Sequence, residues 1–192
     1  MNRKTILSVL IIIFLTITLL VVNNNSSVIN IDNSVNNWIT SHQSPSVSNF
    51  MLSITKICDN LQTLIIFIVF GLFLFIKNKS YFKTFVVSCL SSILITEALK
   101  YIILRARPDN LIEYGPSFPS FHAMMATVFL CSCIILLAPL MKNVFSKNIF
   151  VLASSISFPL VAFSRIYLSV HWASDVIAGI ILGLICFMFA GS

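Results

Sequence analysis

Six runs of apolar residues recur along the chain, at positions 5–22, 61–76, 82–104, 122–141, 149–168 and 172–190. Each is close to the ~20 residues a helix needs to cross a bilayer. The second is short and is expected to begin a few residues earlier. A water-soluble globule could not hide such runs, because only 9% of the 192 residues are charged, against about 25% in soluble domains. The same apolar excess excludes intrinsic disorder. A disulfide-stapled scaffold is excluded by the five cysteines, an odd number, of which Cys89, Cys131, Cys133 and Cys186 lie in apolar runs. The pattern predicts an all-α, integral-membrane bundle of six transmembrane helices, forming a single domain over residues 1–192.

The charges orient this bundle. Arg3 and Lys4, then Lys77, Lys79 and Lys83, then Lys142 and Lys147 fall in alternate connections that hold no Asp or Glu. By the positive-inside rule these connections and both termini are cytoplasmic. The acids Asp32, Asp59, Glu97, Asp109, Glu113 and Asp175 fall in the opposite loops or near the outer helix ends. Topology therefore accounts for the net charge of +6, and nucleic acid is not an expected partner, since the basic residues form no wet patch with aromatics. A multi-pass protein of the cytoplasmic (inner) membrane is expected, with the bilayer as its solvent.

The first run follows Arg3 and Lys4 as a signal peptide's would, but it is long for one. Asn23, Asn24 and Asn25 stand where a small-residue cleavage site would lie, so a retained helix is expected. Pro159 should kink the fifth run. In the Asn-rich outer loop, about 23–56, Ser34 can cap a short helix with Val35, Trp38 and Ile39 on one side, lying at headgroup level. A plain solvated loop fits that stretch equally well.

The remaining charges carry the chemistry, because ionisable groups beside a bilayer are costly and need a partner or a function. Three clusters fall on the outer face: residues 100–108, residues 117–122, and Ser164-Arg165 through His171 to Asp175. Lys100, Arg107 and Arg165 are fixed cations, two of them forked guanidiniums suited to phosphate oxygens. Ser120 can cap the helix that follows and leave backbone N–H groups facing an anion. His171 and Asp175 stand four apart, so the carboxylate can hold one ring nitrogen and leave the other as a nucleophile. His122 is available as a general acid. This set suits phosphoryl transfer through a phosphohistidine, with the positive charge supplied by side chains and no metal or other cofactor required.

Taken singly, these residues have plainer readings. Lys100 can pair with Glu97 or snorkel to the headgroups. Arg105 and Arg107 can contact phospholipid headgroups, and Arg105 lies outside the spacing that matters. His42 has no sequence partner and reads as solvated. Asp175 can be a helix-start acid. Cys131 and Cys133 read as core packing, and Gly179-xxx-Gly183 as close helix contact, which says nothing about activity.

Lys100-x6-Arg107-Pro108, Pro119-Ser120-x-His122 and Ser164-Arg165-x5-His171-x3-Asp175 together resemble the tripartite signature of the type 2 phosphatidic acid phosphatase superfamily. The three blocks span residues 100–175, and the stretch from Asp32 to Thr55, with Trp38 and Ile54-Thr55, is similar to the loop before the second helix in bacterial members. The resemblance implies His171 as nucleophile, Asp175 as its orienter and His122 as general acid. It implies Lys100, Arg107, Ser120 and Arg165 as phosphate ligands, with backbone N–H groups around Phe121 and His122. Phe121 stands where the family has glycine. Its backbone can still serve if its φ is negative, and its ring adds bulk at the pocket edge.

The resulting expectation is a metal-independent lipid phosphatase with an outward-facing site, acting on a lipid phosphate monoester or diphosphate. Undecaprenyl diphosphate, phosphatidylglycerophosphate and lipid A phosphate are the candidates the resemblance brings. A lipid phosphotransferase using the same phosphohistidine, or a non-catalytic lipid-binding protein on this fold, are the alternatives. Haloperoxidase activity, found on a related soluble core, does not suit so apolar a chain.

Overall fold

The computed structural model describes residues 2–56, 60–109 and 113–191, and all of its regular structure among them is helical. Asp59, counted above among the outer acids, lies outside the described residues. The helices are α1 (Arg3–Val22), α2 (Ser26–Ser41), α3 (Pro45–Thr55), α4 (Asn60–Lys77), α5 (Lys79–Ile103), α6 (Phe121–Cys131), α7 (Val144–Tyr167) and α8 (Ala173–Ala190). Past Cys131, α6 continues as a π-helical turn, Ser132–Leu137, and a 3₁₀ turn, Ala138–Leu140. Among the described residues, five segments are long and apolar enough to cross a membrane: Arg3–Val22, Lys79–Ile103, Phe121–Leu140, Val144–Tyr167 and Ala173–Ala190. The remaining expected span, Leu61–Lys77, is apolar but shorter. The helix α7 carries Pro159 in its interior without interruption.

Arg3 donates to the backbone oxygens of Gly191, at 2.9 Å, and Met188. The start of α1 and the end of α8 therefore share one end of the bundle, and the start of α8 lies at the other. Near the middle, Phe85 packs against Phe67, Phe70 and Phe129, with ring centroids 5.3, 4.9 and 5.8 Å away. Met124, Met125 and Val128 join this core with Cys89 and Cys186. Cys133 is buried and Cys131 packs on the same core, as the core-packing reading holds.

The seam between α6 and α8 is the closest in the bundle that bears on the site. A methyl placed on Gly179 would lie 2.5 Å from the Ser120 carbonyl oxygen, and one on Gly183 would lie 2.8 Å from that of Met124. Only hydrogen fits at these two positions. The glycine pair, which the spacing alone relates to packing and not to activity, thus sets the distance between the start of α6 and the start of α8.

The segment 23–56 is folded as two helices and not a plain loop. Asn25, not Ser34, caps α2, its Oδ1 accepting from Ser27 N–H at 3.0 Å, and Ser34 sits inside the helix. The earlier cap lengthens the helix, so α2 carries more than the short apolar face expected. Ile39 is buried against Tyr167 and Leu168, with Val35 at the edge of that cluster. Trp38 instead points outward, 62% exposed, and stacks on the His42 ring with centroids 4.7 Å apart. Gln43 Nε2 donates to the Tyr167 carbonyl at 2.5 Å and the Ser44 N–H to the Tyr167 hydroxyl at 3.1 Å, which pins the connection to α3 on the end of α7.

Candidate active site

Leu104 ends α5 in the left-handed region, with φ 51°, and turns the chain across the end of the bundle. Three backbone bonds then fasten the loops to one another. Asp109 N–H donates to Ser169 O at 3.0 Å, Ser117 N–H to Arg105 O at 2.8 Å, and Ser120 N–H to Asp175 O at 3.1 Å. The chain after α5, the start of α6, the end of α7 and the start of α8 are thereby brought to one place, at the end of the bundle away from Arg3.

Lys100, Arg107, Phe121, His122 and His171 line a cavity of about 400 Å³, together with Glu97 and Glu113. Ser120, Arg165 and Asp175 stand behind that lining. Ser120 is buried and caps α6, its Oγ accepting from Ala123 N–H at 3.4 Å. The N–H groups of Phe121 and His122 are in the first turn, where no carbonyl of the helix can take them. Phe121 is helical, so its φ is negative, and its backbone has the form a glycine would give.

His171 lies just before α8 and is buried. Its Nδ1 is 3.6 Å from Asp175 Oδ2, and its Nε2 is 3.1 Å from Arg107 Nη1. A guanidinium only donates, so Nε2 is an acceptor carrying a lone pair. Burial pushes the imidazole below its usual pKa, and although Asp175 pulls the other way, burial prevails. The neutral form is the one a nucleophile needs. Asp175 is fully buried and also accepts from the Trp172 N–H at 3.0 Å, which ties its carboxylate to the first turn of α8.

Arg107 is held on several sides: Nη1 donates to Val170 O at 2.8 Å, and Nε donates to Gly115 O at 3.0 Å. Arg165, 1% exposed, donates to Thr55 Oγ1 at the end of α3. Both guanidiniums also meet one carboxylate: Glu113 Oε2 lies 2.9 Å from Arg107 Nη1, and Oε1 pairs with Arg165 Nη2. Burial opposes ionisation of Glu113, but Arg165, His122 and Arg107 outweigh it, and its carboxyl sits below the usual carboxylate value. Burial likewise lowers the proton affinity of Arg107, and Glu113 counters it. The two arginines thus hold a two-oxygen anion between them. Lys100 completes the positive rim, 3.7 Å from Glu97 and with Nζ 5.8 Å above the Phe121 ring.

Arg105 is not a headgroup contact. Its Nη1 lies 2.5 Å from Asp175 Oδ1 and its Nη2 lies 2.7 Å from Asp32 Oδ2, while its guanidinium stacks 5.6 Å from the Trp172 ring. The turn at Leu104 is the reason: it sends Arg105 and Arg107 to the carboxylate and the imidazole of the same pair. Sequence reasoning placed Asp32 and Glu113 outside but did not assign either to the site. Spacing carried no signal for Asp32. For Glu113, the available signal was an acid between two blocks of cations.

Residues 81–190 of the chain match the PAP2 superfamily. Among curated relatives, the undecaprenyl-diphosphatase of Sulfolobus acidocaldarius is 33% identical over 121 residues, covering 58% of this chain and 54% of its own. Phosphatidylglycerophosphatase B of Bacillus subtilis is 36% identical over 102 residues, covering 49% and 48%. The chain thus spans about half the length of these relatives. Among solved structures, the transmembrane PAP2-type phosphatidylglycerolphosphate phosphatase of Bacillus subtilis superposes with a TM-score of 0.82 at 25% identity, over 96% of this chain and 93% of that one. The Aquifex aeolicus LpxE structure shares the fold, with a TM-score of 0.63 at 22% identity over 82% and 92%.

Proposed function

This chain belongs to the PAP2 superfamily, and from that premise we propose that it is a membrane lipid phosphatase working through a phosphohistidine on His171. One observation carries the reading most directly. His171 faces Asp175 with Nδ1 and Arg107 with Nε2, so a phosphate drawn to Arg107 arrives at the attacking atom.

In the first step the Nε2 lone pair forms a bond to phosphorus, and the bond from phosphorus to the leaving oxygen breaks. Arg107, Arg165, Lys100 and the first-turn N–H groups of α6, capped by Ser120, stabilise the charge that gathers on the phosphoryl oxygens. The leaving oxygen takes a proton from His122. It belongs to a lipid alcohol in a monoester, or to a lipid phosphate in a diphosphate. In the second step His122 takes a proton from water, the water oxygen bonds to phosphorus, and the N–P bond breaks to release phosphate. Asp175 balances the positive charge on the imidazole between the two steps. The positive charge around the phosphoryl group comes from side chains, so the reaction proposed uses no metal.

Phe121 also lines a second cavity of about 230 Å³, with Thr63, Leu64, Phe67, Leu90, Ile93 and Met125. This cavity lies between α4, α5 and α6 and is almost wholly apolar. The phosphate would occupy the charged cavity and the apolar part of the lipid the other, with the Phe121 ring as the wall between them.

For orientation, the proposal takes Leu61–Lys77 as a sixth span, puts both termini in the cytoplasm and faces the site outward across the cytoplasmic membrane. The charge asymmetry of the loops supports this, as does the Arg3 contact with Gly191 at the end remote from the site. Phosphate release from a panel of lipid phosphates and diphosphates, by the full chain in detergent without added metal, tests the function. Release from a lipid supports it. No release from any, or transfer only to an added alcohol, contradicts it.

A further inference from the structure

Asp32 stands on α2, an outer helix that contributes nothing to the lining of the catalytic cavity. Its side chain is nevertheless 2% exposed. A carboxylate so buried is costly unless it is paired and hydrogen-bonded, and this one is fully engaged. Oδ1 accepts from the Ser174 N–H at 2.9 Å, and Oδ2 accepts from Ser174 Oγ at 2.6 Å and Arg105 Nη2 at 2.7 Å. The docking of α2 also has contacts other than that charge. Ile39 buries itself against Tyr167 and Leu168, and Gln43 holds the Tyr167 carbonyl.

The contacts continue inward. The other arm of Arg105, Nη1, donates to Asp175 Oδ1 at 2.5 Å and to Ser174 Oγ at 2.7 Å. The far oxygen of Asp175 faces His171 Nδ1. A guanidinium is a rigid planar fork that binds one carboxylate bidentately when it can. Here the fork is divided between two carboxylates, and Asp32 is what keeps it divided.

We propose that Asp32 is a positioning residue for the nucleophile: by holding one arm of Arg105 it fixes where the other meets Asp175, and so holds Asp175 against Nδ1 of His171. The proposal rests on His171 being the nucleophile. Without the Asp32 charge, both arms of Arg105 are free to turn onto Asp175. They draw its Oδ2 from the imidazole and offset the negative charge that must balance the ring as it takes the phosphoryl group. The titratable and charged groups facing His171 are Asp175 from α8, Arg107 from the chain after α5, Arg165 from α7 and His122 from α6. Lys100 and Glu113 line the same cavity. Asp32 reaches the ring through Arg105 and Asp175.

The test uses the full chain in detergent and the lipid phosphate that the wild type hydrolyses best. Asp32→Asn keeps the shape and the acceptor for the Ser174 N–H, removes the charge, and puts an NH2 donor where Oδ2 accepts from Arg105. It is expected to lower kcat by about 10–10²-fold, the scale of a small misplacement at a reacting group, with KM nearly unchanged. The acid limb of kcat/KM should move to lower pH, because the imidazole loses negative potential. Asp32→Glu should restore part of kcat, and Ser174→Ala, which removes the hydroxyl between Asp32 and Arg105 but leaves the charges, should keep the wild-type pH profile. Should Asp32→Asn not fold, Arg105→Lys is the second variant. A single ammonium keeps the charge but cannot span both carboxylates, so the same loss in kcat is expected, with KM nearly unchanged and no downward move of the acid limb. Wild-type kcat in Asp32→Asn, or a loss shared by Ser174→Ala with the acid limb unmoved, overturns the proposal. A wild type that releases no phosphate from any lipid overturns the phosphatase reading instead.

Discussion

The imidazole of His171 faces the carboxylate of Asp175 across four residues, with Nδ1 3.6 Å from Oδ2. That separation is beyond a good hydrogen bond, and catalytic pairs often tighten only when the substrate complex forms. The carboxylate is therefore placed to respond when the ring gains charge. Asp175→Asn is expected to lower kcat by about 10²-fold or more, because the amide cannot balance an imidazolium. Steady-state kinetics on one lipid phosphate would show the effect in kcat with a small change in KM.

The pH dependence follows from the burial of that ring. His171 is held below its usual value of 6.5, so the reactive neutral form persists into mildly acid solution. The kcat/KM profile should fall only as pH drops through this lowered pKa, where the ring is protonated and its lone pair lost. The linked effect on stability has the same sign. The unfolded chain binds the proton more tightly, so this group disfavours folding progressively as pH falls below the unfolded value. An acid limb centred above neutrality would contradict the assignment.

The glycine seam gives a prediction about stability and activity together. A methyl on Gly179 meets the Ser120 carbonyl at 2.5 Å, and that residue is backbone at the cap of α6 and cannot swing aside. Gly179→Ala should destabilise the protein by about 1–3 kcal/mol, as overpacking does. It should also reduce kcat, because the cap moves relative to His171. Thermal unfolding and kinetics on the same preparation check both, and an unchanged Tm would show that the seam can open.

Phe121 lines both the charged cavity and the apolar one. With its backbone already in helical form, Phe121→Gly should keep the phosphoryl chemistry and alter KM or the ranking of lipids with different bodies. Two lipids bearing the same phosphate suffice for the measurement. Equal losses in kcat on both, with KM untouched, would mean that the ring positions catalytic groups and not the lipid.

Much of this site was legible in the chain because the signature residues are chemistry-bearing types in an apolar background, where each must have a use. Loop topology, residue chemistry and the resemblance of the three blocks point Lys100, Arg107, His122 and His171 to one place with Asp175 beside His171, and the structure brings them to one cavity. Arg105 was not legible. Its role depends on the left-handed turn at Leu104 and on Asp32, 73 positions away, and no local pattern encodes that meeting. The helices α2 and α3 were only half visible for a similar reason. Trp38 and Ile39 are both apolar, and only packing on Tyr167 decides that Ile39 goes in and Trp38 out. The part of Glu113 was hidden because an acid in a loop looks solvated until two guanidiniums close on it.

The most direct measurement of the central claim is a brief incubation of the full chain with a lipid carrying radiolabelled phosphate, followed by denaturation and digestion. The account predicts label on the protein at His171, stable in alkali and lost in acid. The label should be absent in His171→Ala, while His122→Ala should lower turnover by about 10²–10⁴-fold. Label retained in His171→Ala, or turnover in that variant near the wild-type rate, would contradict it.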